Sequence, residues 1–546
     1  MRFDSSKNSK SLTLVYGLTV LLFSVCIIFP LICVLSSAGL KDFKAVFTQQ
    51  VWHNAMKNTL LECLASTSLS VFVGYIFAYA VVKTNIPGKK IFSLIPIIHL
   101  ITPPFVGGLA FILLFGRQGF ITHKLLGLNI SLYGFWGLLI AQVLCFFPMA
   151  YLICAQVLRG INTDLEQAAR SLGASEVKIF FTVTLPLSWS GILSSFLFIA
   201  VSVLSDFGNP LIIGGRFRVL AVEIYTQLTG WLNVGTSAVL GIILLIPSVI
   251  LFFLQNRLNK KLENKTATIS GKGFNRDSQC YSSIAAKVFL FIFVLFISLL
   301  ILAQVAAIFA GSFQKLWGIN TEFTLKHIRS MVDYTKHLRN SVMFALIAAV
   351  LSTLIASVSS YLVHRTDVPF RKTIDVIAQI PSAIPGSLLG LALSIAANKI
   401  HFKYSPLLIV VAMTVAFMPF AYRVISNTYA QISLTLDNGA RSLGANQMTV
   451  LKTVIMPMSK SGLFSGFVYD FIRGVGTLSA VIFLVSFNTP LASIQLINLA
   501  EQGSWGKSAA LALVLTAITF AILGIALLIN TVFNKRRKID GISFFR

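Results

Sequence analysis

Twelve apolar stretches, each near the length that crosses a bilayer, punctuate this chain, and they constrain its fold more than any other feature. They lie at residues 12–35, 58–82, 91–115, 132–157, 189–214, 237–256, 286–310, 340–363, 373–398, 405–427, 461–486 and 508–532. A membrane-spanning helix takes about 20 predominantly apolar residues, and its backbone polar groups must be satisfied inside the helix itself. The pattern therefore predicts an all-α membrane protein of about twelve transmembrane helices. With 546 residues, 56% hydrophobic and only 11% charged, little chain is left for a soluble catalytic domain. The first stretch follows Arg2, Lys7 and Lys10 and is longer than the core of a signal peptide, so it is expected to be a retained first span.

The formal net charge of +26 would raise nucleic acid as a partner in a soluble protein. In a membrane protein the loops on the cytoplasmic side carry excess Lys and Arg whatever the function. With Lys287 and Arg423, near the ends of their stretches, counted with the adjoining loops, the loops on the side of the N-terminus hold 28 Lys and Arg and those on the other side 15, with Arg473 inside a span. This bias predicts both termini in the cytoplasm, the basic tail Lys535, Arg536, Arg537 and Lys538 included, and removes the argument for nucleic acid. The six cysteines are scattered, mostly in apolar runs, without metal-ligand spacing, so no metal site is expected.

Near the midpoint, residues 257–284 are rich in Lys, Asn, Ser and Gly and read as a cytoplasmic linker between domains at 1–256 and 285–546. The two flanks repeat each other. ARSLGA at 169–174 recurs at 440–445, an offset of 271, while Asn58, Thr59, Tyr79, Thr84 and Pro87 answer Asn340, Ser341, Tyr361, Thr366 and Pro369 at an offset of 282. Six spans separate the copies. An even number preserves orientation, so the halves are two parallel six-helix repeats related by an axis along the membrane normal, with a pathway expected between them.

The loops after the fourth span of each half, 160–187 and 431–458, read as structured elbows. In the first, Thr163 and Glu166 have capping-box spacing and Gly173 suits a left-handed stop, which predicts a short helix over 164–172. Ser175 opens a second turn that ends near Leu185 and Pro186, and Gly444, Asn446, Met456 and Pro457 repeat the arrangement.

The elbows resemble the EAA loop of binding-protein-dependent ABC importer permeases, in which Glu-Ala-Ala precedes a glycine and an Ile-x-Leu-Pro-like ending. The corresponding residues are Gln167, Ala168, Ala169, Gly173, Val183, Leu185 and Pro186, then Asn438, Gly439, Ala440, Gly444, Val454, Met456 and Pro457. The family glutamate is thus replaced in both copies, with Glu166 and Asp437 standing one position earlier. The resemblance implies that these short helices couple to a dimer of ABC ATPase subunits, with Leu172 and Leu443 as apolar anchors. It also implies a periplasmic or lipid-anchored solute-binding protein as the second partner, a multi-pass location in the bacterial cytoplasmic (inner) membrane, and membrane lipid around the bundle. The fused halves, and SDFGNPLIIGG at 205–215, are similar to ferric-iron permeases. Related fused permeases carry thiamine, phosphonates, sugar phosphates or polyamines.

No nucleotide-binding loop is legible: the nearest string, ending in Gly506, Lys507 and Ser508, has Glu501 where G-x-x-x-x-G-K-[ST] needs its first glycine. The chain is therefore expected to be no enzyme and to hold no cofactor, with ATP and Mg on the partner ATPase. Ionisable groups inside spans are costly and become candidates for a pathway. Asp206 and Asn209 precede a Pro210 break in the fifth span, and Asp470 and Arg473 sit on one face of the eleventh, where they are expected to neutralise each other. Gly386 with Gly390, and Gly462 with Gly466, have helix-contact spacing. An ion-driven carrier with parallel halves would place a G-x-x-x-D-R-like loop after the second span, where this chain reads KTNIPGKK at 83–90. The loops on the far side are basic, with Asp42, Glu223, Glu322, Asp333 and Glu501 scattered among them. A bare multivalent cation would need clustered oxygen ligands there, so cargo is expected to arrive on the binding protein.

Overall fold

The computed structural model describes residues 10–102, 104–128, 130, 132–269 and 284–542. Most of what is described is helix, and the strands among the described residues form one two-stranded hairpin of Gln314–Leu316 and Asn320–Phe323. Nine helices are long and apolar enough to cross a membrane, or ten if the bent pair Arg371–Ala383 and Gly386–Lys399 counts as one span. The remaining two of the twelve predicted segments are present as shorter pieces, Lys89–Ile101 with Pro104–Phe115, and Lys460–Val475.

The breaks follow from sequence. A residue before proline is driven out of the α region, and Thr102 (φ −69°, ψ 140°) precedes Pro103 just as Ile384 (φ −89°, ψ 117°) precedes Pro385. The two prolines are 282 apart, so both halves break their third span at the same place, the second by a bend of 108°. A second matched irregularity opens each fifth span. π-Helical turns at Phe180–Thr184 and Leu451–Ile455 run into Pro186 and Pro457, whose missing N–H groups relax the regular ladder there.

Within each half the second, fourth and fifth helices form the packed centre. Gly74 shows how close the first two come: a Cβ there would stand 2.4 Å from the Cβ of Ala150. Gly462 and Gly466 lie against Thr428 and Ala421 of Ser405–Gln431, a helix contact, whereas Gly386 and Gly390 lie against the non-helical residues Ser479 and Ala480.

The halves interlock. The segment Phe29–Ser37 of the first helix packs on Gly386–Lys399 of the second half, and Ile284–Phe313 packs on Lys89–Ile101, Pro104–Phe115 and Gln50–Lys83 of the first. One apolar core runs through both, with Leu240 and Leu244 in the same cluster as Leu388, Leu391 and Leu484. The predicted linker differs from expectation in its first part, because the helix Val234–Ile269 continues through residues 257–269; residues 270–283 lie outside those described.

Candidate functional site

Each elbow is a pair of short helices joined through a left-handed glycine. Thr163–Ser171 stops at Gly173 (φ +81°) and Leu434–Ser442 at Gly444 (φ +86°), where glycine, having no Cβ, enters the left-handed region at no steric cost. The following turns are capped by Ser175, whose Oγ accepts from the Lys178 N–H, and by Asn446, whose Oδ1 accepts from the Thr449 N–H. The first helix starts differently from the capping box: Asn162 is the cap and accepts from Asp164 N–H, while Glu166 points inward.

That inward turn corrects the expectation that Glu166 caps the helix start. Glu166 is buried; Lys83 Nζ lies 3.0 Å from its Oε1, and Thr184 Oγ1 donates to the same oxygen at 2.9 Å. Asp437 is its counterpart, buried and 3.6 Å from Arg365 Nη1. Lys83 and Arg365 are themselves 282 apart, at the ends of the two second-span helices Gln50–Lys83 and Thr335–Arg365. Sequence reading missed both, although the offset that aligned Tyr79 with Tyr361 and Thr84 with Thr366 also aligns these two cations. With the acids inside, each elbow presents its small and apolar residues. Gln167, Ala168, Asn438 and Gly439 are exposed, Ala169 and Ala440 are half-buried, and Leu172 and Leu443, again 271 apart, are 88% and 90% exposed.

The pathway candidates divide. A cavity of about 240 Å³ lies between the halves, with Asp206 and Gln255 contributed by the first and Pro381, Arg423, Tyr469 and Arg473 by the second. Asp206 occupies the break between helices Leu185–Leu204 and Gly208–Ile213. Asn209 is buried behind it, donating from Nδ2 to Asp206 Oδ2 at 2.9 Å. Gln142 Nε2 donates to the same oxygen at 3.0 Å and to Glu62 Oε1 at 2.5 Å, which ties the cavity wall to the second helix. Asp470 is not in the cavity wall: it is buried and accepts from Ser352 Oγ. It forms no ion pair with Arg473, so the expected mutual neutralisation is corrected, because the two side chains serve different surroundings. Arg423, which the charge count assigns to the adjoining loop, lies within Ser405–Gln431. Among the described residues no group of three or more His, Cys, Asp or Glu is placed to hold a metal ion.

Two interlocked helical halves, a cavity between them and two matching elbows define a polytopic transport protein of the permease class. The chain belongs to the family of binding-protein-dependent transport system inner membrane components, which matches residues 70–264 and again 364–539. It is 31% identical over 483 residues to the ferric transport system permease protein FbpB of Actinobacillus pleuropneumoniae, covering 84% of this chain and 69% of that one. It is 30% identical over 503 residues to the putative ferric transport system permease protein FbpB 1 of Haemophilus influenzae, covering 86% and 77%. The molybdenum transport system permease protein ModB of Escherichia coli is 30% identical over 188 residues, 33% of this chain and 81% of that one.

Proposed function

We propose that this chain is the membrane-spanning subunit of a bacterial ABC importer for ferric iron, embedded in the cytoplasmic membrane with both termini inside. Iron is supported by the names of the two relatives that span most of the chain. The observation that carries the mechanism is the duplicated elbow: a buried acid anchors each short helix to its own half, leaving an exposed leucine and small residues as a docking face. Leucine on a helix of small residues suits insertion into a cleft of an ATPase subunit, one per elbow. Closure of the ATPase dimer on ATP and Mg would push on both elbows together. The anchored acids would pass that movement to the second helices, and the halves would rock about the cavity. The chain makes and breaks no bonds in this cycle.

The loops opposite the elbows suit docking of a binding protein with an acidic face, with strong salt dependence. The test is uptake of radiolabelled iron into proteoliposomes holding this chain and its ATPase. Uptake that needs both ATP and the loaded binding protein is the expected result. Efficient uptake without the binding protein would overturn the delivery step, and transport of a phosphorylated solute in place of iron would overturn the cargo.

A further inference from the structure

The charge in the cavity is not part of the scaffold that the halves share. At the offset of 271, Arg423 and Arg473 correspond to Leu152 and Ser202, and Asp206 corresponds to Thr477. Two guanidinium groups have therefore been placed in the wall of one compartment by one half alone, each at the cost of holding a cation within a membrane span.

Their arrangement is specific. Phe420 and Tyr469 stack face to face across the cavity wall. Arg423 is three residues beyond Phe420 on one helix and Arg473 four residues beyond Tyr469 on the next span, which runs the opposite way. Each step is about one helical turn, so the two arginines stem from backbone positions on opposite sides of the stacked pair, and both line the same cavity. Arg423 is steadied by donating to Asn256 Oδ1 at 3.2 Å and by the ring of Phe252, 5.8 Å from its Cζ. Arg473 is in no ion pair among the described residues. The acid of the wall, Asp206, already accepts from Gln142 and Asn209.

A bare trivalent cation entering this space would meet two positive groups and one carboxyl whose oxygens are engaged, in a medium that strengthens the repulsion. It would also lack the clustered oxygen ligands that a hard cation requires. A small oxyanion meets the reverse: planar guanidinium forks that match its oxygens two at a time, and hydroxyl donors from Ser205 and Thr477 in the same wall. We propose that the cavity is an oxyanion site, and that a metal cargo crosses it as a complex with a small oxyanion. The second clause rests on the iron reading above; the first does not.

The experiment uses the whole transporter in proteoliposomes, with binding protein loaded with radioactive iron in three media: phosphate carrying a second label, carbonate, and a chloride medium free of oxyanions. Iron uptake is expected in the first two and about tenfold lower or less in the third, with phosphate and iron entering together. Arg473→Gln should lower both by about tenfold, the worth of one charge-assisted contact, and Arg473→Lys should restore part of it. Co-purification of each variant with the ATPase checks that it has folded. Iron uptake equal in all media and unaffected by Arg473→Gln would overturn the proposal. Transport of phosphate without iron, lost in Arg473→Gln, would keep the oxyanion site and overturn the iron reading instead.

Discussion

Lys83 and Glu166 form a buried ion pair, 3.0 Å between Nζ and Oε1, that ties the first elbow to the end of the second helix. Arg365 and Asp437 repeat it in the second half at 3.6 Å, with the surroundings changed. Thr184 donates to Glu166, but its counterpart at the offset of 271 is Ile455, which has no hydroxyl, and both Asp437 oxygens lack a hydrogen bond. Arg365 is held independently, donating from Nη2 to the carbonyls of Tyr429 and Ile432.

Removing one member of a buried pair leaves the other charged and unsatisfied, at about 3–5 kcal/mol. Glu166→Ala strands Lys83 in this way, whereas Asp437→Ala leaves Arg365 with its two carbonyls. Glu166→Ala is therefore expected to lower the melting temperature and the uptake rate more than Asp437→Ala. The double change Lys83→Met with Glu166→Leu should recover most of the lost stability. Equal losses for the two single variants would show that the different hydrogen bonding has no effect.

Much of this was legible in the sequence, and the gaps have physical causes. Span-length apolar runs and the offsets of 271 and 282 gave the helices, the repeat and both elbows, because hydropathy and turn chemistry are local. The broken third spans could be read only from the proline after Thr102 and Ile384, since the flanking residues are as apolar as an unbroken span. Glu166 was read as a cap because spacing shows which residues are near along a helix, and its true partner Lys83 is 83 residues away. Arg423 escaped because one arginine close to the end of an apolar stretch reads as part of the adjoining loop, although the helix runs on to Gln431.

Gly173 and Gly444 hold positive φ with no atom within 4 Å of a Cβ added there. A side chain would thus meet backbone strain of about 1–2 kcal/mol but no clash within the chain. Gly173→Arg and Gly444→Arg should keep the fold, as judged by melting in detergent, and should lose ATPase co-purification and uptake. Gly173→Asn, which tolerates the left-handed region, should retain both. Full transport by both arginine variants would sink the docking role of the elbows.

Close helix approach predicts an order of sensitivity among glycines. A Cβ at Gly74 would lie 2.4 Å from Ala150 Cβ, one at Gly466 would lie 3.1 Å from Ala421 Cβ, and one at Gly524 would meet nothing within 4 Å. Overpacking costs about 1–3 kcal/mol, so Gly74→Ala should lower the melting temperature most and Gly466→Ala less. Gly524→Ala, inside a helix, should be neutral or stabilising by up to about 1 kcal/mol. A melting order that does not follow these distances would contradict the packing described.

Gln142 holds two buried carboxyl groups at once. Its Nε2 donates to Glu62 and Asp206, while its Oε1 accepts from Ser66 Oγ at 2.7 Å. Gln142→Leu leaves three polar groups each short of a partner, at about 1–3 kcal/mol per orphaned group. Because the groups form one network, those costs should not add: Glu62→Leu is expected to cost less in the Gln142→Leu background than in the natural chain, with a coupling of about 0.5–3 kcal/mol. Uptake should fall with Gln142→Leu as well, since Asp206 in the cavity wall loses one of its two side-chain donors. The check is a double-mutant cycle on the melting of the purified protein, run beside uptake. Strict additivity of Gln142→Leu and Glu62→Leu would mean that Gln142 does not bridge the two acids, and that Asp206 is positioned by Asn209 alone.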